Sequence, residues 1–172
     1  MKKIIYILPV LFLLNGCFDE EQSQPASHSF VADKPVAIEY ENRVIYMLPV
    51  DVDYGLTKWC TYPYDSITGA GSNSDGQQNT SLIVEEYGEG SYAAYMCDTM
   101  TAYGYNDWYL PSKNELNAIY EQKDTLGSFE DYSYWSSTEA EENEAWSQNF
   151  SDGNQSVYSK STASYFRCVR RD

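Results

Sequence analysis

Strand-forming, largely apolar residues run through Val36-Ala-Ile-Glu-Tyr40 and Val44-Ile-Tyr-Met-Leu48, with polar Glu41-Asn42-Arg43 between them. The pattern predicts a β-hairpin. Thr57-Lys-Trp-Cys-Thr61 is a further short strand candidate. The period then changes. Ala93, Met96, Cys97 and Met100 fall at i, i+3, i+4 and i+7, which predicts a helix over Ser91 to Tyr103 with one apolar stripe. Ser91 is its expected N-cap and Gly104 its stop. A second helix is announced by Ser112-Lys-Asn-Glu115, a capping box preceded by Pro111. Leu116, Ile119 and Tyr120 would form its buried side, and it would stop near Asp124 to Gly127. Tyr132 to Ser137, Ala145 to Phe150 and Tyr165 to Val169 then read as strands, with turns at Glu141 to Asn143 and at Asp152-Gly153. Strands, two helices and more strands predict an α+β fold with an antiparallel sheet.

Two stretches stand outside this pattern. Asp65 to Thr80 (DSITGAGSNSDGQQNT) is rich in Gly, Ser and Asn and reads as a long loop. Phe18 to about Lys34 is acidic, with Ser, Gln and Pro and few apolar residues, and reads as a disordered tether. Before it, Lys2-Lys3 precede an apolar run, Ile4 to Leu14, that is too short to span a membrane. The run ends in Leu14-Asn15-Gly16-Cys17, which resembles the lipobox of bacterial lipoproteins. That resemblance implies cleavage before Cys17, a lipid on its sulfur, and attachment to the membrane through acyl chains. The organisation is therefore residues 1–17 as a lipoprotein signal peptide, 18–35 as a tether and 36–172 as one domain. An exported protein anchored to the bacterial envelope, at the outer membrane or cell surface, is expected.

Charge narrows the functions. The chain carries a net charge of -15, and loss of Lys2 and Lys3 leaves nine basic against 26 acidic residues. Phosphate needs a basic face, so nucleic acid is not an expected partner. The 17 Tyr against 6 Phe suit a partly exposed recognition surface, since Tyr packs its ring and keeps a wet hydroxyl; they equally suit an ordinary β-rich domain. His28 is the single histidine and lies in the tether, so neither a zinc site nor a Ser/His/Asp triad is expected. The acidic pairs sit in solvated runs such as Glu139 to Glu144, which is poor ground for a glycosidase dyad. No catalytic residue, cofactor or metal is expected, and a binding module is favoured over an enzyme. Beyond Cys17, the cysteines are Cys60, Cys97 and Cys168, which allow one internal disulfide and leave one thiol.

Three groups of residues carry a family resemblance. They are Gly104-Tyr-Asn-Asp-Trp108-Tyr-Leu-Pro-Ser112 with Glu115-Leu116; Tyr134-Trp-Ser-Ser-Thr-Glu139 with Ala145-Trp146 and Asn149-Phe150; and Gly153-Asn154, Lys160 and Arg167-Cys-Val-Arg170. Together they resemble the C-terminal domain of Legionella collagen-like proteins, the DUF1566 family, over roughly Val44 to Arg170. The resemblance implies a C-type-lectin-like fold. In that fold a cysteine of the first helix pairs with one of the last strand, which here implies Cys97–Cys168; Cys60–Cys97 is the alternative. The formylglycine-generating enzymes of similar fold need their own cysteine pair, which this chain lacks, and the lectin Glu-Pro-Asn sugar motif is absent too. The residues also make sense physically. Trp108, Leu110, Trp135 and Trp146 would anchor a core poor in aliphatics, Asp107 would bond backbone, Ser136 to Thr138 would satisfy loop amides, and Arg167 or Arg170 would pair inward with a carboxylate such as Glu115 or Glu139.

Domains of this type also include the variable proteins of diversity-generating retroelements, in which Asn codons of a C-terminal segment are rewritten as any NNY codon. That set excludes Trp, Met, Lys, Glu and Gln. Apart from Lys160, all residues from Ser156 to Phe166 belong to it. Tyr and Ser are also the preferred contact residues of adaptable binding surfaces; a plain Ser/Tyr strand pair is the alternative. The expected contact residues are Asp152, Asn154, Ser156, Tyr158, Ser159, Ser161, Ser164 and Tyr165, facing a cell-surface protein or glycan. A purely structural envelope lipoprotein is the second expectation.

Overall fold

The hairpin forms where the pattern places it. β1 (Val36–Tyr40) and β2 (Arg43–Met47) pair antiparallel, from Val36 opposite Met47 to Tyr40 opposite Arg43. Ile38, Ile45 and Met47 are fully buried, so one face of this hairpin is core. The computed structural model describes residues 34–49, 51 and 55–172. The expected signal peptide, Cys17 and the tether up to residue 33 lie outside the described residues.

Among the described residues four helices follow rather than two: α1 (Gly76–Tyr87), α2 (Ala93–Asp98), α3 (Lys113–Glu121) and α4 (Lys123–Leu126). Then come β3 (Ser133–Glu141), β4 (Glu144–Asn149), β5 (Gln155–Ser159) and β6 (Val169–Arg171). They make two three-stranded antiparallel sheets, ordered β1-β2-β6 and β3-β4-β5. The fold is α+β, as the element order predicts.

The observed elements depart from the predicted ones at several points. α1 lies partly in the stretch expected to be loop. Asp75 caps it by accepting from the Gln78 N–H at 3.1 Å, worth about 1 kcal/mol. Its buried side is Gly76, Asn79, Thr80 and Ile83, so polar groups face inward there. They are satisfied: Asn79 bonds Ser72 and Ser137, and Thr80 Oγ1 accepts from the Leu110 N–H. Gly76 is required by space, because a Cβ there would lie 2.5 Å from Glu115 Oε2 and 2.6 Å from the Ser112 nitrogen. α2 is shorter than expected and starts after Tyr92, which makes no side-chain cap bond. It ends at Asp98, leaving Met100 beyond it; Gly104, at φ +80°, belongs to a separate tight turn in which Ala102 and Tyr105 exchange backbone bonds. The capping box of α3 forms in both directions. Thr57–Thr61 is no strand, only a bridge from Thr57 to Ser164. Of the last predicted strand, only Val169 joins a sheet.

The core has two parts. One gathers Trp59, Trp108, Trp135, Ile83, Tyr92 and the Cys97–Cys168 disulfide. The other gathers Ile38, Ile45, Leu116, Ile119, Tyr134, Phe150 and Val169. Cys168 and Val169 serve different parts, as alternation along an extended chain requires. Trp146, expected as an anchor, is only half-buried and lies under the Lys113 ammonium, 3.2 Å from the ring centre.

Candidate functional site

The C-terminal segment is held by three buried cations. Lys160 is fully buried. Its Nζ donates to Glu139 Oε1 at 2.6 Å, the Glu142 carbonyl at 2.7 Å and the Ser66 carbonyl at 2.8 Å, using all three protons. Glu139 also accepts from the Thr68 and Gly69 amides. One ion pair thus ties the end of β5 to the β3–β4 turn and to the 66–69 loop.

Arg167 and Arg170 do pair inward, but not with the carboxylates expected. Arg167 binds Asp51, donates to the Ser128 carbonyl at 2.8 Å and lies over the Phe129 ring. Arg170 grips Asp107 through Nε at 2.8 Å and Nη2 at 3.0 Å, a bidentate geometry. Asp107 was expected to bond backbone; its main partner is this guanidinium. Glu139 is taken by Lys160. Glu115 is fully buried, and its oxygens accept from Tyr109 Oη, Ser112 N–H, Ser112 Oγ and Gly76 N–H. No net charge or helical phase distinguishes one acid from another, so these choices were set by approach in space.

The Arg170 hydrogen bonds hold the Asp107 carboxyl below its ordinary range, against a smaller opposing effect of burial. A carboxyl whose folded value is depressed contributes stability above the unfolded value, about pH 4, and loses it as pH falls through the folded value. The melting-temperature gap between the wild type and Asp107→Asn should therefore be constant above about pH 5 and shrink below about pH 4. A gap that does not change with pH would remove this pair from the acid response. The effect should be modest, since the carboxylate is 38% exposed.

The eight expected contact residues separate into four places. Asp152 and Asn154 sit exposed in the β4–β5 turn and bond each other, Asp152 Oδ1 to the Asn154 N–H at 3.0 Å and Oδ2 to its amide at 2.7 Å. Gly153 between them has φ +82°, and a Cβ would strike the Tyr120 ring at 2.5 Å, so the turn admits only glycine. Ser156, Tyr158 and Ser159 are exposed along β5, and Ser161 follows in an exposed loop with its Oγ 2.8 Å from that of Ser159. Ser164 is the correction: it is 4% exposed and exchanges both backbone bonds with Thr57, at 2.9 Å each. Its side chain belongs to the interior. Tyr165 is half-buried at the far side of the sheet, bridging Tyr134 on β3 and packed beside Tyr132 at 5.7 Å between ring centres.

With Tyr165 beside β3 and β5 beyond β4, three strand spacings, about 14 Å, separate Tyr165 from Tyr158. The expected contact residues that reach the surface therefore fall in two patches. Tyr132, 60% exposed, joins Tyr165 in the second and was missed. The signal was present: Tyr132 and Tyr134 are two apart, the spacing that puts both on one face of an extended chain. Val157, 39% exposed, adds an apolar side chain to the exposed part of β5.

Within the tail, Ser156, Val157, Tyr158, Ser159, Ser161, Thr162 and Ala163 are exposed, while Lys160, the residue outside the NNY set, is buried. The Cys97–Cys168 disulfide is present, with Cα atoms 5.4 Å apart. Cys60 is free and buried, and burial pushes its thiol up from the ordinary range.

The family model described as the Lcl C-terminal domain matches residues 57–170. No curated protein matches the chain.

Proposed function

The chain belongs to the Lcl C-terminal domain family, and from that premise we propose that it is a binding lipoprotein of the bacterial envelope. It is anchored through Cys17 and contacts a cell-surface protein or glycan through the β4–β5 turn, β5 and the 161–163 loop. We read it as a binding module and not an enzyme. The observation that carries this is the division of the tail. Seven neutral residues project into solvent, and the one long cation among them is withdrawn into the core. Such a surface can change its side chains without disturbing the scaffold below. That suits diversification by a retroelement, and it suits an adaptable Ser/Tyr contact surface in any case. The helix-to-terminus disulfide and the paired antiparallel sheets support the C-type-lectin-like reading of the family resemblance.

Tyr158 is 41% exposed, so Tyr158→Ala should leave stability within about 0.5 kcal/mol. The same change should weaken binding to a hit from a glycan array or a displayed peptide library by about tenfold or more, the size of a central aromatic contact. Tyr165→Ala, by contrast, removes ring contacts with Tyr132 and Tyr134 and should lower stability by about 1 kcal/mol or more. Binding that survives both Tyr158→Ala and Ser159→Arg would take the β5 side chains out of the contact surface.

A further inference from the structure

A sheet edge left open is a template for another strand, and folded proteins usually cover, charge or bend such edges. Three of the edges here are managed in that way. The outer side of β3 is filled by Tyr165, whose C=O accepts from the Trp135 N–H at 2.8 Å and whose N–H reaches the Ser133 C=O at 3.1 Å. The outer side of β1 is met by Gln122, whose side chain donates to the Glu39 carbonyl at 3.0 Å. β6 exchanges bonds with Tyr109 across Val169, at 2.7 and 2.9 Å.

β5 is different. It pairs with β4 from Gln155 opposite Gln148 to Ser159 opposite Glu144, with no bulge. The bonds Lys160 N–H to Asn143 C=O and Asn149 N–H to Asn154 C=O set the phase of this ladder. Alternation then turns the N–H and C=O of Ser156 and Tyr158 toward β4, and those of Gln155, Val157 and Ser159 away from it. Among the described residues, the only backbone bond to that outer row is from the Thr162 N–H to the Ser159 C=O, at 2.8 Å. The strand Gln155-Ser-Val-Tyr-Ser159 holds no charge, no proline and no glycine. Four of its five side chains are exposed, so solvent reaches both faces as well as the edge.

We propose that the outer edge of β5 takes an extended segment of a partner protein as an added strand. This rests on the contact-surface reading above and narrows its ligand to a polypeptide. Main-chain hydrogen bonds to Gln155, Val157 and Ser159 give the affinity, and Val157 and Tyr158, on opposite faces, read alternate side chains of the incoming strand. The exposed charges around the two ends of β5 are mainly acidic: Asp152 at one, Glu141 and Glu142 at the other, with half-buried Glu144 paired opposite Ser159. Lys58, beside the Trp59 whose N–H bonds the Lys160 carbonyl, is an exposed cation at that second end, with its Nζ held on Tyr64 Oη at 2.6 Å. Lys160 is neutralised by Glu139, and Lys113 is turned onto the Trp146 ring. The segment that fits therefore has strand-forming residues flanked by Lys or Arg. The same charge disfavours a second copy of this chain as occupant, since each carries -15.

The test selects a displayed library of random peptides on the full chain and measures the selected peptides in solution. Strand-forming sequences with basic flanks should emerge. On binding, amide exchange should slow at Gln155, Val157 and Ser159, with little change at Ser156 and Tyr158, which are already paired. Val157→Pro removes only an outward N–H and should weaken binding about tenfold or more. If that variant misfolds, the wild-type exchange pattern still decides the matter. Several results overturn the proposal: no peptide selected, peptides bound without protection at the outer amides, or self-association that Val157→Pro abolishes. Peptide binding that is lost in Tyr158→Ala but kept in a folded Val157→Pro rejects strand addition and leaves the contact surface standing. Outer-amide protection that Tyr158→Ala leaves intact keeps strand addition and rejects the side-chain account of the surface.

Discussion

Replacing Lys160 by alanine is expected to destabilise the domain by about 3–5 kcal/mol, the cost of leaving one partner of a buried ion pair alone. The ammonium is fully buried and makes three hydrogen bonds, to Glu139, Glu142 and Ser66. Truncation strands the Glu139 carboxylate, whose side chain is 7% exposed, and two carbonyls lose their donor. Because Glu139 also holds the Thr68 and Gly69 amides, a swap of both partners for apolar residues would leave those amides unpaired. Glu139→Leu/Lys160→Met should therefore recover only part of the loss. Denaturant unfolding of the three proteins measures this directly. A loss under about 1 kcal/mol for Lys160→Ala would mean that water replaces the ammonium and that the site is less closed than its geometry. The change matters beyond stability, because Lys160 directly follows β5, so its loss should loosen the proposed contact strand as well.

Loss of the Cys97–Cys168 disulfide should have a comparable effect, about 4 kcal/mol. The bridge closes a loop with a sequence separation of 71 residues, and restricting the unfolded chain over such a loop accounts for that magnitude. It also joins α2 to the residue before β6, so the terminal strand and the tail leading to it are held at both ends. In Cys97→Ser/Cys168→Ser the melting temperature should fall by roughly 10–20 °C. A shift of only a degree or two would show that the noncovalent frame, chiefly the Arg167–Asp51 and Arg170–Asp107 pairs, already restrains this end of the chain. Cys60 should not substitute for either partner readily, since burial keeps its thiol protonated and poorly nucleophilic.

How much of this was legible in the chain depends on where the information is stored. Short-range signals were reliable. The β1–β2 hairpin, the capping box at Ser112 and Glu115 and the Asp152-Gly153 turn depend on neighbours in sequence, and all three are formed. The disulfide was implied by family resemblance, and the cysteine spacing alone left Cys60–Cys97 open. α1 was not seen because its inward residues include Gly76, Asn79 and Thr80. These pack through hydrogen bonds to Ser72, Leu110, Ser137 and Glu115, and a polar inward face has no apolar period to detect. The stripe through Met100 overstated α2 for the converse reason: apolar spacing continued past the point where the backbone turned.

The sequence by itself determined the α+β class, the hairpins and one helix start, because each is written in adjacent side chains and their periods. Only the tertiary structure decided which acids meet Lys160, Arg167 and Arg170, since 26 carboxylates compete and the choice is made by chain approach over long separations. It also put Ser164 inside and Tyr165 on the opposite side of the sheet from β5. Strand order, which no local pattern encodes, separates residues seven apart in sequence into two patches and, among the described residues, leaves the outer edge of β5 without a neighbouring strand.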